Sequence, residues 1–168
     1  GCHEGYPGHH LLNMKLEEKL VRGRGWREFS IYPLFSPLSL IAEGSANYGI
    51  TLAFPDKQRV ERDVLMPLAG LAPAADDRYW RVQNAVAALS GARLTIAQQY
   101  LDGEIDRDTA VALSQKYLLL TPERADQSIS FTQQYRSYVI NYGLGEAMVR
   151  RFIEAGGAKQ SERWGRME

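Results

Sequence analysis

An all-α, multi-helix protein is what this sequence predicts, and three observations carry the prediction. Apolar residues recur at intervals of three and four along most of the chain, the spacing that places them on one face of a helix. Pro, Gly and capping residues punctuate it at helix-length intervals. No segment sustains the apolar–polar alternation of a half-buried strand, and no internal repeat or low-complexity linker interrupts the pattern.

A first helix is expected over about 9 to 21, where Leu12, Leu16 and Leu20 line up opposite Glu17, Glu18 and Lys19. Gly23-Arg24-Gly25 ends it, and 26 to 36 reads as irregular. Ser36-Pro37 opens a second helix reaching about Phe54, Pro being favoured at the first helical position. Pro55-Asp56 restarts the chain into a charged helix to about 66. After Pro73 the longest periodic stretch sets Tyr79, Val82, Val86, Leu89, Ile96 and Tyr100 on one stripe, and Asp102-Gly103 stops it. Asp106 is the expected N-cap of a helix to about Leu118. Thr121-Pro122-Glu123 supplies a cap, a proline at the first position and an acid in the first turn, opening a helix to about Asn141. The last helix is expected from about Leu144 to Gly156-Gly157. Residues 1–168 are thus expected to form a single helical domain.

Zero net charge, from 20 basic and 20 acidic residues, removes the basic excess that attracts nucleic acid or an anionic membrane surface. Basic residues at Arg150-Arg151 and beyond are interleaved with Glu154, Glu162 and Glu168, which reads as a solvated surface. No apolar run is long enough to span a bilayer. With 168 residues, 45% of them hydrophobic, the chain can bury a sizeable core, and its single cysteine, Cys2, excludes an internal disulfide framework. It opens directly on Gly1-Cys2-His3-Glu4. A chemical motif at a fraying terminus leads to the expectation of a C-terminal fragment of a larger helical protein, with the N-terminal remainder as its partner.

All 3 histidines fall within H-E-G-Y-P-G-H-H, positions 3 to 10. Imidazole is the commonest protein ligand for zinc, and a carboxylate beside a ligating His can act as general base. The short zincin motif spaces its histidines four apart, on one helix face; here His9 and His10 follow His3 by six and seven. An uninterrupted helix would carry His10 roughly 10 Å from His3, too far to share one ion. Pro7-Gly8 offers a way round, since Pro breaks the hydrogen-bond ladder and Gly permits unusual dihedrals, so that a local bulge swings His9 back toward His3. The competing reading is that these histidines simply gather at a chain end and cap a helix starting at Pro7. Glu43 is the candidate third ligand, a lone acid on a helix of small and apolar residues that is costly to bury without a partner; a solvent-facing Glu43 is the alternative.

H-E-G-Y-P-G-H-H-L followed by E-G-S-A-N-Y resembles the motifs of the bacterial domain-of-unknown-function (DUF) 885 family, approximately H-E-[AC]-x-P-G-H-H-L-Q and E-G-W-A-L-Y. The segment 92 to 111 is similar to that family's R-L-V-V-D-T-G-L-H block, and Y-G-L-G-E-A-M-V-R-R from Tyr142 to its late Y-x-x-G-x-x-x-I segment. The resemblance spans nearly all of the chain and implies a zincin-like helical domain related to gluzincin metallopeptidases. It implies Zn2+ held by His3, His9 and Glu43, with His10 as an outer neighbour or an alternative ligand. Glu4 would polarise the attacking water and pass its proton to the leaving amine. Tyr142 would donate to the developing oxyanion, or else simply pack its ring. Arg93 would pair with a carboxylate, such as a peptide's terminal one, or else lie at the surface.

The departures fall around these positions. The family's Trp is Ser45 here, its Leu is Asn47, and the acid after the Tyr is Ile50; further on, its Asp is Ala97 and its His is Leu101. Arg136-Ser137-Tyr138 stands where the family has P-G-Q. The expected activity is zinc-dependent, carboxypeptidase-like hydrolysis of peptide bonds. Its rivals are a non-catalytic helical homologue that keeps the metal motif and a metal-dependent amidase acting on a small non-peptide amide.

Overall fold

The computed structural model describes residues 1–72 and 78–168, and among them there are helices, turns and loops but no strand. The helices are α1 (His9–Leu16), α2 (Leu38–Ala53), α3 (Lys57–Val60), α4 (Met66–Leu68), α5 (Arg78–Ala88), α6 (Ala92–Leu101), α7 (Arg107–Leu118), α8 (Pro122–Tyr135), α9 (Leu144–Ile153) and α10 (Gln160–Met167). The expected all-α class is what the chain adopts. No described helix is long and apolar enough to cross a membrane. Two compact units are present, Gly1–Lys57 with Asn141–Glu168, and Gln58–Ile140.

In the first unit α1 runs on as a π-helical stretch, Glu17–Arg22, so helix persists to the Gly23 boundary expected for it. Leu11 is its buried anchor, while Leu12, Leu16 and Leu20 are half-buried. The stretch from 26 to 36 holds one 3-10 turn, Arg27–Ser30. Tyr32 donates its hydroxyl proton to Ser39 Oγ at 3.0 Å, and Ser39 Oγ in turn donates to the Leu34 carbonyl, tying the stretch to the start of α2. Pro37 occupies the N-cap of α2, one residue before its expected place.

Helix α2 is the spine of this unit. Its run of small residues lets α9 approach backbone to backbone: a Cβ on Gly44 would lie 2.4 Å from the Gly145 carbonyl carbon, and one on Gly145 2.3 Å from the Leu40 carbonyl oxygen. Beyond that crossing Tyr48 and Leu52 of α2 meet Val149 and Ile153 of α9, with Trp164 and Met167 of α10 packed against them. Helix α10 was not expected from the sequence, where its charge suggested a solvated surface. Its basic residues have specific partners instead. Arg166 Nη1 donates to the Ile153 and Ala155 carbonyls at 3.0 and 2.7 Å, satisfying backbone acceptors near the α9 C-terminus. Arg163 reaches Glu154 at 3.5 Å. Arg150 reaches Glu146 and Glu154 at 2.8 and 3.5 Å, with its guanidinium 5.2 Å from the Tyr48 ring centroid. Tyr48 donates to Glu154 Oε1 at 3.2 Å; burial, then the nearby Glu154 charge, raise its pKa above the ordinary tyrosine value.

In the second unit the run 58 to 68 is helical throughout, α3 joining α4 through a π stretch, Glu61–Leu65. Pro73 lies outside the described residues. The expected long helix is two: α5 ends at Ala88 and α6 begins at Ala92. Ser90-Gly91, a weak helix-forming pair, sits in the break, where Leu89 and Ser90 turn back on Val86 and Ala87 through bonds of 3.0 and 3.1 Å. The stripe divides accordingly. Tyr79, Val82 and Leu89 are exposed, whereas Ile96 joins Ala110 of α7 and Ile129 of α8 in a core flanked by Tyr100, Ile105, Val111 and Leu113. The expected caps are present: Asp106 accepts from the Thr109 N–H at 2.8 Å and Thr121 from the Arg124 N–H at 3.4 Å. Helix α8 stops at Tyr135, short of Asn141, because Arg136 takes φ +49° and the chain continues as a 3-10 stretch, Arg136–Tyr142.

Candidate metal centre

The N-terminal loop closes by a ladder wider than that of a helix. The His9 N–H donates to the His3 carbonyl at 2.9 Å, and the His10 N–H to the Glu4 carbonyl at 3.0 Å. Both bonds span six residues instead of four, so two extra residues are accommodated within what is otherwise one helical turn. Gly5 and Gly8 make the inner bonds, to Gly1 and Gly5 at 2.7 and 2.9 Å, and the Tyr6-Pro7 peptide is cis. Regular helix resumes when the Leu12 N–H finds the Gly8 carbonyl at 3.2 Å. Gly8 is required by space: a Cβ there would lie 1.8 Å from the His3 carbonyl oxygen and 2.3 Å from that of Cys2. The bulge expected at Pro7-Gly8 is therefore present, and it brings His9 back to His3, with ring centroids 4.8 Å apart and edge-on.

Glu43 lies beneath this loop on the buried face of α2 and is 8% exposed, so the solvent-facing alternative does not hold. Its two oxygens are divided between the histidines, Oε2 being 3.5 Å from His3 Nε2 and Oε1 3.8 Å from His9 Nε2. Glu4 Oε1 is 3.8 Å from His3 Nε2, with 79% of its side chain exposed. Donor atoms of His3, Glu4 and His9 all lie within 4.8 Å of one another. These separations exceed the hydrogen-bond range of about 2.7–3.2 Å. The two Glu43–histidine distances, 3.5 and 3.8 Å, come nearest the spacing of about 3.3–3.4 Å between donors that share a tetrahedral ion at bonds of about 2.0–2.1 Å.

Asn47, one helical turn after Glu43, holds the His3 ring: its Oδ1 is 3.1 Å from His3 Nδ1. With Nδ1 protonated and donating to that oxygen, Nε2 presents its lone pair on the Glu43 side, the arrangement by which an outer partner fixes a ligand's tautomer and orientation. Sequence reading noted Asn47 only as a departure from the family motif. The signal was available, because a polar amide four residues after Glu43 shares its helix face. If this cluster holds zinc, Asn47→Leu is expected to leave helix content unchanged and to weaken its binding about 10–100-fold, as measured by competition with a fluorescent chelator; unchanged affinity would remove Asn47 from the site.

The remaining candidates are not members of the His3–Glu4–His9–Glu43 cluster. His10 is exposed. Tyr142, 41% exposed, ends the 3-10 stretch ahead of α9. Ser45, in place of the family's Trp, is buried and donates to the Ala42 carbonyl at 3.1 Å. Arg93 is exposed at the start of α6, in the other compact unit. Comparison with protein-family models, with curated proteins and with solved structures finds no match to this chain.

Proposed function

We propose that the chain carries the metal centre of a zinc-dependent hydrolase acting on peptide bonds, of the kind the DUF885-like motifs imply. The observation that carries this reading is the buried Glu43 carboxylate set between two imidazole nitrogens at ion-sharing distances. His3, His9 and Glu43 would hold the ion, a nitrogen–oxygen donor set suited to zinc with a position left for substrate or water. Zinc bound there supplies a Lewis acid that polarises a carbonyl and makes water more acidic. Glu4 is oriented toward the same cluster but is open to solvent. It accepts a proton from the attacking water and returns it to the departing amine. His9 fills the ligand position through the wide loop, and the exposed His10 remains available to substrate.

The test is elemental analysis of the purified protein together with cleavage of a peptide library. One zinc per chain, lost in Glu43→Gln, with hydrolysis that stops on chelation and returns with added zinc, is the expected result. Absence of zinc from a protein purified without chelators, or a full complement in Glu43→Gln, would refute the ligand set. A second reading rests on the solvent exposure of Glu4 and the small Ser45 at the family's Trp position: a homologue that binds metal but does not turn over. Stoichiometric zinc with no cleavage of any peptide selects it.

A further inference from the structure

Helix α8 presents two different faces. Ala125, Ile129 and Thr132 are buried. Arg124, Gln127, Ser128 and Phe131, at i, i+3, i+4 and i+7, line an open surface groove of about 370 Å³ completed by Arg93 of α6 and by Leu120. All six residues belong to the unit Gln58–Ile140. Two exposed arginines thus line one open groove that no acid lines. Among the described residues neither Arg93 nor Arg124 has a side-chain ion pair or hydrogen bond. The contrast with Arg107 on α7 is informative: it too lies beside α8, but it is paired with Asp126 at 2.6 Å and bonded to Ser130 at 2.8 Å.

Unpaired arginines lining one groove are ready to take an oxyanion, since each planar fork can give parallel N–H bonds to a carboxylate or phosphate. The Gln127 amide and Ser128 hydroxyl add neutral donors on the same side. The opposite character comes from Leu120 and Phe131. Phe131 is backed by Tyr135 and Tyr138 at ring-centroid distances of 4.5 and 6.4 Å, which makes this wall an aromatic surface. The groove is open to solvent, and what it offers a ligand is the pairing of cationic donors with an apolar wall.

We propose that this groove binds a small organic oxyanion, a carboxylate or phosphate group carried on an apolar, ring-sized body. Arg93 and Arg124 take the charged group, Gln127 and Ser128 fix its orientation, and Phe131 and Leu120 cover the body. The site lies within one compact unit and uses none of His3, His9, Glu43 or Glu4, so it stands or fails independently of zinc.

Calorimetric titration of the full chain in EDTA with phenyl phosphate, benzoate and inorganic phosphate tests it. Saturable one-site binding of phenyl phosphate or benzoate is expected, at least tenfold tighter than inorganic phosphate; whichever organic anion binds more tightly identifies the charged group. Arg93→Gln and Arg124→Gln should each weaken it at least tenfold. Phe131→Ala should weaken the organic anions while leaving inorganic phosphate unchanged. Amide NMR shifts on the unsubstituted protein, expected at 93, 124, 127, 128 and 131, keep the test decisive if a variant misfolds. No saturable binding, shifts elsewhere, or equal affinity for all three anions would overturn the proposal.

Discussion

Glu4→Gln is expected to lower peptide hydrolysis by about 10²–10⁴-fold while leaving one zinc per chain. Gln keeps the size and hydrogen-bonding reach of Glu but cannot accept the proton. The side chain is 79% exposed, so the exchange leaves the packing undisturbed. Turnover and zinc content measured on one preparation distinguish three cases. Activity within a few-fold of the unsubstituted protein removes Glu4 from the chemistry. Loss of zinc together with activity makes Glu4 a ligand, which its 3.8 Å approach to His3 Nε2 leaves geometrically open. Retained zinc with lost activity is the general-base result. Glu43→Gln should give the complementary pattern, because Glu43 is the buried carboxylate that touches both imidazoles.

Gly8→Ala should be the most damaging single-methyl change in the histidine loop. Its Cβ would overlap backbone oxygens of Cys2 and His3, and a backbone oxygen cannot turn aside as a flexible side chain can. The loop would have to open, lengthening the bond from the His9 N–H to the His3 carbonyl and carrying His9 away from Glu43. A hundredfold or greater loss of zinc affinity is expected, with destabilisation of the metal-free protein by about 1–3 kcal/mol, as for overpacked interiors. Gly91→Ala is the matched control, since its Cβ would meet nothing within 4 Å and its φ of −66° is helical. Tight zinc binding by Gly8→Ala, or equal urea midpoints for the two variants, would contradict this account of the loop.

Both the helical class and the bulge at Pro7-Gly8 were legible in the sequence because each depends on local chemistry. Asp106 and Thr121 cap their helices through bonds to residues three ahead, and Pro7-Gly8 bends the chain within one turn. Glu43 was legible because an acid on a helix of small and apolar residues needs a partner to be buried. What escaped depends on contacts distant in sequence. Helix α10 looks like a charged surface until Ile153, Ala155 and Glu154 are placed beside its arginines. The break at Ser90-Gly91 was hidden because the 3-4 spacing of apolar residues continues in phase on both sides of it. Gly44 and Gly145 are unremarkable in the sequence, 101 residues apart; only the α2–α9 crossing explains why neither can carry a side chain.

Tyr6, inside the histidine loop, stacks on Trp164 of α10 with centroids 5.7 Å apart and rings 9° from parallel, and its hydroxyl donates to Glu168 at 2.6 Å. Residues 164 to 168 are thereby a physical neighbour of residues 4 to 8. The indole of Trp164 becomes an intrinsic optical gauge of the loop, its emission responding to any motion that unstacks Tyr6. A bulky group attached near Glu168 would press on the same contact, so alterations at residues 164 to 168 are felt by the loop that carries His3 and His9.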